Sequence, residues 1–273
     1  MKKEIALILI IIIIYNYFLS EDYFDKKTLN VKLIPLSMFG LFAFFIFVIS
    51  ILSIFYYRTI IYKNYLKDDT SLYTEDGKFN HIKVIKLSIP DKLIDPLMEI
   101  SENQGVRIEI PKKRQKCISI KRLQESLPEI LEFYKSLPNI ISKVIGTKVQ
   151  TTPLTESNSL CLVVYEQEGD YIDWHFDTNH YNGRYFTLLL PVSTEPTCGN
   201  YQFRNSNKKT ETVKLEMGNA LLFEGDKVYH KAKKLCKNQR RVILSCTFTT
   251  SQEIPTIEII FQKIKNIGIF GEI

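Results

Sequence analysis

Histidine and tryptophan are scarce in this chain: His81, His175, His180 and His230 are the only imidazoles and Trp174 the only indole in 273 residues. With so few imidazoles, each is worth weighing as a ligand or a catalytic base. The five cysteines, Cys117, Cys161, Cys198, Cys236 and Cys246, are odd in number and scattered without paired spacing. That pattern suits a reducing compartment better than an oxidising one. No Asn-x-Ser/Thr glycosylation acceptor occurs, although asparagine is frequent, and this too leans towards the cytoplasm.

Charge is missing from two stretches near the N-terminus. After Lys2 and Lys3 comes an apolar run over about 5–19, near the short limit for a bilayer-spanning helix. It is followed by Ser-Glu-Asp and no small-residue cleavage site, which favours an uncleaved anchor over a removed signal. The second run, 34–57, carries no charge and is closed by Tyr56, Tyr57 and Arg58 as a membrane span is commonly closed. Residues 1–60 are therefore expected to be a membrane anchor with two transmembrane helices, and a polar linker over 61–81 follows, with its Asp76-Gly77 turn signal. Lysines lie at both ends and also in the loop between the runs (Lys26, Lys27, Lys32). A hairpin with both ends in the cytoplasm is the simplest arrangement of this multi-pass protein.

The remainder, 82–273, is long enough for one substantial domain. Its first part reads as mixed α/β: a strand over 82–88, a helix opened by Pro90 and running to about Glu99, and a short strand over 106–110. The basic cluster Lys112, Lys113, Arg114 and Lys116 reads as a solvated loop, so a nucleic-acid partner is not favoured. Residues 122–145 have apolar positions at helical spacing and should form two helices interrupted at Pro138. From Ser159 the texture changes to short apolar strands: 160–165, 171–177, 185–192, 199–204, 212–215, 220–223 and 242–249. Seven strands at even spacing point to a closed or double-sheet β architecture, a jelly roll with flanking helices, α+β in class. Asn182-Gly183 is a tight-turn dipeptide that should join 171–177 and 184–192 as a hairpin. The tail 254–273 should pack on the sheet as a closing helix rather than lie on a membrane surface.

The chemistry concentrates in Tyr171-Ile172-Asp173-Trp174-His175-Phe176-Asp177. On an extended chain alternate side chains share a face, so His175 and Asp177 point one way, together with Asp173, while Trp174 and Phe176 pack on the other side. An imidazole and a carboxylate on one face make half of a two-histidine, one-carboxylate iron site, which leaves open positions for other ligands. The other half has to come from elsewhere. Met217-Gly218-Asn219-Ala220-Leu221-Leu222-Phe223 leads through Glu224-Gly225-Asp226 to Val228-Tyr229-His230, and eleven residues later Arg241 opens the strand-like run Arg241–Phe248.

His-x-Asp, a distant His, and an Arg at the start of a following strand resemble the Fe(II)/2-oxoglutarate-dependent dioxygenase family, particularly its prolyl-4-hydroxylase-like branch. Tyr165–Tyr171 and the Gly-x-Ala-Leu-Leu-Phe run before His230 resemble it as well, and the match covers roughly 155–250. The resemblance implies a double-stranded β-helix with His175, Asp177 and His230 as the iron ligands. It implies that Arg241 holds the distal carboxylate of 2-oxoglutarate, since a guanidinium fork matches a carboxylate with two parallel hydrogen bonds. Arg241 is preferred to Arg240 because Ser245, four residues on, shares its face and places a hydroxyl beside the same cosubstrate. Tyr165, ten residues before His175, resembles the tyrosine that hydrogen-bonds the bound 2-oxoacid. The implied reaction consumes O2 and 2-oxoglutarate, yields succinate and CO2, uses ascorbate as reductant, and hydroxylates a C–H bond on a protein side chain, prolyl or lysyl. A lipid or nucleic-acid methyl group is the alternative substrate, and a catalytically silent membrane-tethered binding module is the alternative of a different class. The chain departs from the collagen-type pattern in having Tyr171 four residues before His175 and Arg241 in place of lysine.

Overall fold

The computed structural model describes residues 40, 42–50, 81–193, 198–204, 209–255, 258, 259, 262 and 266. The chain divides into two compact units, Met1–Lys63 and Asn64–Ile273. In the first, residues 42–50 are helical and expose Phe42, Phe44, Phe45, Ile46, Phe47 and Ile49. Among the described residues no helix is long and apolar enough to cross a membrane. The apolar run 5–19 and most of 34–57 lie outside them, as does most of the linker 61–81.

The second unit is built on one antiparallel sheet. Its strands are β1 (Ile82–Lys86), β2 (Val106–Ile110), β3 (Lys113–Ile118), β4 (Gln150–Thr151), β5 (Leu160–Tyr165), β6 (Tyr171–His175), β7 (Tyr185–Pro191), β8 (Tyr201–Arg204), β9 (Thr210–Val213), β10 (Asn219–Glu224), β11 (Tyr229–Ala232) and β12 (Arg241–Thr249). The helices are α1 (Asp91–Asn103), α2 (Ile120–Ser126) and α3 (Glu129–Ile145). Strand order is β1-β10-β7-β12-β5-β3-β6-β11-β8-β9, with β2 paired to β3 and β4 to β12. The sheet curls upon itself: Ile82, Phe223 and Ile243 of β1, β10 and β12 share one buried cluster with Tyr201, Phe203, Val213 and Ala232 of β8, β9 and β11. Strands so distant in the order can meet only in a curled sheet, and this is the jelly-roll core that the strand count implied.

β12 shows why the curl has two faces. Val242, Leu244, Cys246 and Phe248 point outward into the cluster that α1 and α3 cover with Leu93, Leu97, Leu137 and Ile141. The alternate positions Arg241, Ile243, Ser245 and Thr247 point inward, as the period of two requires. Tyr134 on α3 donates a hydrogen bond of 2.6 Å to the Thr247 carbonyl and fastens the helical layer to this strand.

Four sequence expectations are corrected. Pro138 lies inside α3, and the break falls at Leu127-Pro128, where the residue before proline is turned out of the helical region (φ −148°, ψ 74°). The basic cluster is a strand, β3, inserted between β5 and β6. β6 and β7 form no hairpin: β6 pairs with β11 and β3, β7 with β10 and β12. Gly183 has an ordinary negative-φ backbone and serves a close approach instead, since a Cβ there would sit 2.5 Å from Thr250 Oγ1 and 2.7 Å from Ser251 N. Finally, Cys198 and Cys236 form a disulfide. They flank the paired strands β8 and β11, where Tyr201 lies opposite Ala232, so the pairing is set by register and invisible in sequence spacing. The cysteine argument for a reducing compartment thereby loses its premise.

At the described positions of the tail, Glu258 reaches His180 Nδ1 at 2.8 Å and Gln262 Nε2 reaches the Tyr181 hydroxyl at 3.4 Å, which ties that segment to the sheet domain. Replacing Gly183 with alanine should destabilise the domain by about 1–3 kcal/mol in urea unfolding, because the obstruction is partly backbone and cannot swing aside.

Candidate metal centre

His175 ends β6 and His230 lies on β11 directly opposite it in the register. The antiparallel pairing of two separate segments thus brings the imidazoles together, with ring centroids 4.2 Å apart. Asp177 follows β6 in irregular chain, its N–H donating to the Gly225 carbonyl at 2.9 Å. Its Oδ1 lies 3.5 Å from His175 Nε2 and 3.6 Å from His230 Nε2. One ligand atom from each of the three residues falls within 4.8 Å of the others, the separation a single metal ion bridges.

The surroundings fix which atoms face the centre. His175 Nδ1 donates to the Asp173 carbonyl and His230 Nδ1 to the Val228 carbonyl, each at 2.7 Å. With the proton held at Nδ1, both Nε2 lone pairs are free to coordinate. Thr187 donates its hydroxyl to Asp177 Oδ2 at 2.6 Å, which leaves Oδ1 towards the histidines. Burial alone would raise the Asp177 pKa, but the charge of His230 and the hydrogen bond and charge of His175, with Thr187, outweigh it and hold the carboxyl below its usual range. Burial, reinforced by His175, lowers His230 to about 4 against the pull of Asp177. At neutral pH the site therefore offers a carboxylate and, at position 230, a neutral imidazole, a ready donor set for a divalent cation.

A glycine allows this packing. A Cβ at Gly225 would lie 2.4 Å from Asp177 Oδ2 and 2.8 Å from its Cβ. The neighbouring Glu224 is fully buried and anchors the end of β10 through Arg184 (Nε to Oε1 and Nη2 to Oε2, both 3.0 Å), His81 (2.7 Å) and Lys227 (3.2 Å). Burial opposes its ionisation, but the hydrogen bonds from His81 and Arg184 and the nearby cations bring it down to about 2.

The three ligand side chains open onto a cavity of 250 Å³ inside the curled sheet, lined also by Lys113, Gln115, Cys117, Tyr165, Phe176, Tyr201 and Ser245. Tyr165 and Ser245 are thus placed in the same cavity as the triad. Arg241 is completely buried on the inward face but does not line the cavity: its guanidinium lies 4.1 Å from the Tyr165 ring and 5.0 Å from the Tyr201 ring, behind both. Nη1 donates to the Gly199 carbonyl, whereas Nε and Nη2 are buried without a hydrogen-bond partner. Arg240 turns outward to Ser101 (2.7 Å) and Glu102 (3.3 Å) on α1. A buried guanidinium with two unmet donors is costly alone and matches a carboxylate, so the residue types present fit a dicarboxylate cosubstrate, whose distal end would have to displace the Tyr165 or Tyr201 ring to reach Arg241.

One local expectation changes. Asp173 does not share the face of His175 and Asp177; β6 is bulged opposite β11, so Ile172 and His175 both line the cavity and Asp173 contributes its carbonyl. Trp174 stacks on Tyr229 at 5.3 Å and Phe176 packs on the same ring at 4.9 Å, as expected for the far face, while Phe176 also borders the cavity. Thr187 and Gly225 were not foreseen. Nothing in the 185–192 strand marks one threonine as special, while the Glu-Gly-Asp turn before His230 did carry a signal, a glycine where the chain comes close to another segment. Arg107 was missed as well: it grips Asp170 through Nη1 to Oδ2 (2.7 Å) and Nη2 to Oδ1 (2.5 Å), and Asp170 accepts from the Glu166 and Gln167 amides, which fixes the turn that launches β6.

No protein-family model matches the chain, and no curated protein matches it. Solved structures do. An oxidoreductase of the 2OG-Fe(II) oxygenase family from Burkholderia pseudomallei superimposes with a TM-score of 0.51 over 71% of this chain and 94% of its own, at 9% identity. The non-heme alpha-ketoglutarate-dependent epimerase SnoN from nogalamycin biosynthesis gives 0.51 over 62% and 76%, at 11% identity. The chain has the fold of the 2-oxoglutarate–Fe(II) oxygenases. A second SnoN structure is a complex with Fe3+, alpha ketoglutarate and nogalamycin RO.

Replacing Thr187 with valine should weaken divalent-metal binding about ten- to a hundredfold in a cobalt titration, because the carboxylate loses the bond that orients it. Stability should fall with pH through the Glu224 carboxyl: its folded pKa is depressed, so its contribution is complete above about pH 4.5 and is lost as pH drops towards 2. A Glu224→Gln variant should have a flatter acid limb in urea unfolding measured across that window.

Proposed function

We propose that the chain is a membrane-tethered Fe(II)/2-oxoglutarate-dependent dioxygenase that hydroxylates a C–H bond of an amino-acid side chain, prolyl or lysyl. The observation that carries this reading is the convergence of His175, Asp177 and His230 within 4.8 Å on the wall of a cavity inside an oxygenase-type curled sheet. Bound at these three atoms, iron would supply the chemistry that couples conversion of 2-oxoglutarate to succinate and CO2 with insertion of one oxygen atom into a substrate C–H bond.

The chain's own residues hold and position. Asp177 contributes one negative charge, His175 and His230 bind through Nε2, and the remaining positions face the cavity. Arg241 would pair its free Nε and Nη2 with the distal carboxylate of 2-oxoglutarate, and Ser245, on the same face of β12, would donate its hydroxyl beside it. Burial pushes the Tyr165 phenol up against the opposing charge of Arg241, so it stays an O–H donor for the 2-oxoacid. The aliphatic and aromatic walls, Ile172, Phe176, Leu189, Phe223 and Ile243, keep water from the reacting carbon. Ascorbate as reductant belongs to the same reading. Tethering rests on the charge-free run 34–57, whose described part exposes a ring of phenylalanine and isoleucine side chains that water would not favour.

The full-length chain given Fe(II), 2-oxoglutarate and ascorbate should release succinate, slowly without a substrate. His230→Ala should abolish both metal binding and succinate release, and Arg241→Met should raise the KM for 2-oxoglutarate about ten- to a hundredfold while leaving metal binding intact. A wild-type chain that binds no metal and forms no succinate would sink the proposal and leave a binding module.

A further inference from the structure

The basic cluster has a use that its hydrophilic sequence hides. In β3 the side chains alternate, and Lys113, Gln115 and Cys117 all line the cavity that the metal triad opens onto, while Lys116 turns out to Glu166 at 2.8 Å. Lys113 is the only cationic side chain that lines this cavity among the described residues, and none of their carboxylates lies within ion-pair distance of it. Gln115 is 2% exposed; its Nε2 donates to Cys117 Sγ at 2.9 Å and its Oε1 is buried without a partner. A buried amide oxygen left unmet is costly, and a ligand that brings an N–H or O–H donor removes the cost.

We infer that Lys113 and Gln115 form a carboxylate-recognition subsite in the metal cavity, taking the carboxylate of an amino-acid unit on Lys113 and its N–H on Gln115. The inference rests on the oxygenase reading in that Arg241 is given to the 2-oxoacid; the second cation then answers a second acid. The two cations are separately housed, Arg241 on β12 behind Tyr165 and Tyr201 and Lys113 on β3 lining the cavity, with β5 between the two strands. 2-Oxoglutarate has carboxylates but no N–H, so it can satisfy Lys113 and not Gln115 Oε1, whereas an acylated amino acid satisfies both. The substrate class is accordingly an amino acid, free or at the C-terminus of a peptide, oxidised close to its own carboxylate. The hairpin of β2 and β3 holds the subsite in place, Ile110 lying opposite Lys113 and Ile108 opposite Gln115.

The probes are N-acetyl-L-alanine and its amide, N-acetyl-L-alaninamide, added to the full-length metal-free chain and followed by ligand-observed NMR, with 2-oxoglutarate affinity measured separately on the cobalt-loaded chain. Wild type should prefer the acid about tenfold; Lys113→Met should bring that preference within about twofold, Lys113→Arg should keep it, and Gln115→Leu should weaken acid and amide alike. 2-Oxoglutarate affinity should move less than about twofold in Lys113→Met. If 2-oxoglutarate binding instead falls about tenfold in Lys113→Met while the acid preference stays, Lys113 serves the cosubstrate and the inference is overturned. The inference is overturned if Lys113→Met, unchanged in thermal unfolding, alters neither affinity. Because the acid preference is read without metal, its loss is separable from a failure of the oxygenase reading, which shows as absent cobalt binding or absent succinate.

Discussion

The close seating of Asp177 against the turn at Gly225 is the contact on which the centre depends. The backbone joins twice there, Asp177 N–H to the Gly225 carbonyl and Gly225 N–H to the Tyr185 carbonyl, so the chain leaving β6 is stitched to the end of β10 and to β7 across the curl. The histidines need no such device, because strand register already sets them opposite one another. The carboxylate comes from irregular chain beyond the strand, and without that seating it would have no fixed place. Thr187 then turns it, and the buried ion cluster around Glu224 keeps the turn from drifting.

The interior carries cationic charge with little to offset it. Arg241 is held by stacking on two tyrosines and by one backbone carbonyl, and two of its donors go unmet; Lys113 faces the cavity with no carboxylate partner among the described residues. A fold selected for stability alone would pair or remove such groups, since an unmet buried charge is among the more expensive features a core can hold. Arg241 behind the cavity wall, and half-buried Lys113 and the unmet amide oxygen of Gln115 on it, are the features that a bound acid would satisfy. The apolar bulk of the domain lies on the other face of the sheet, where α1 and α3 seal a continuous core, so the inner face can afford polarity.

Much of this was legible in the sequence. His175 and Asp177 stood out because ligand chemistry restricts which residue types serve, although Asp177 lies beyond β6 rather than on its face; His230 and Arg241 were reached through the family resemblance. The strands of the second half other than β11 were found as short apolar runs, with β12 the clearest case; β11, which carries His230, has too little apolar pattern to show. β3 was missed because Lys112–Lys116 looks like a solvated surface when read locally, and nothing local says that a strand will be pulled between β5 and β6. The Asn182-Gly183 hairpin failed for the same reason: a turn dipeptide reports permissive backbone, and Gly183 is used for its missing side chain against Thr250 and Ser251. The bulge in β6, which withdraws Asp173 from the site, likewise arises from pairing with β11.

The sequence by itself determined the His175-x-Asp177 half of the candidate centre, the strand-rich second half, the helix-covered core and the two charge-free stretches near the N-terminus, since each follows from residue chemistry and periodicity over a few turns of chain. Only the tertiary structure decided that Cys198 meets Cys236, that Gly225 admits Asp177, that Arg241 lies behind Tyr165 and Tyr201, and that Lys113 faces the triad's cavity. Those facts depend on which strands become neighbours when the sheet curls, and neighbours distant in sequence are chosen by the packing of the whole rather than by any local preference.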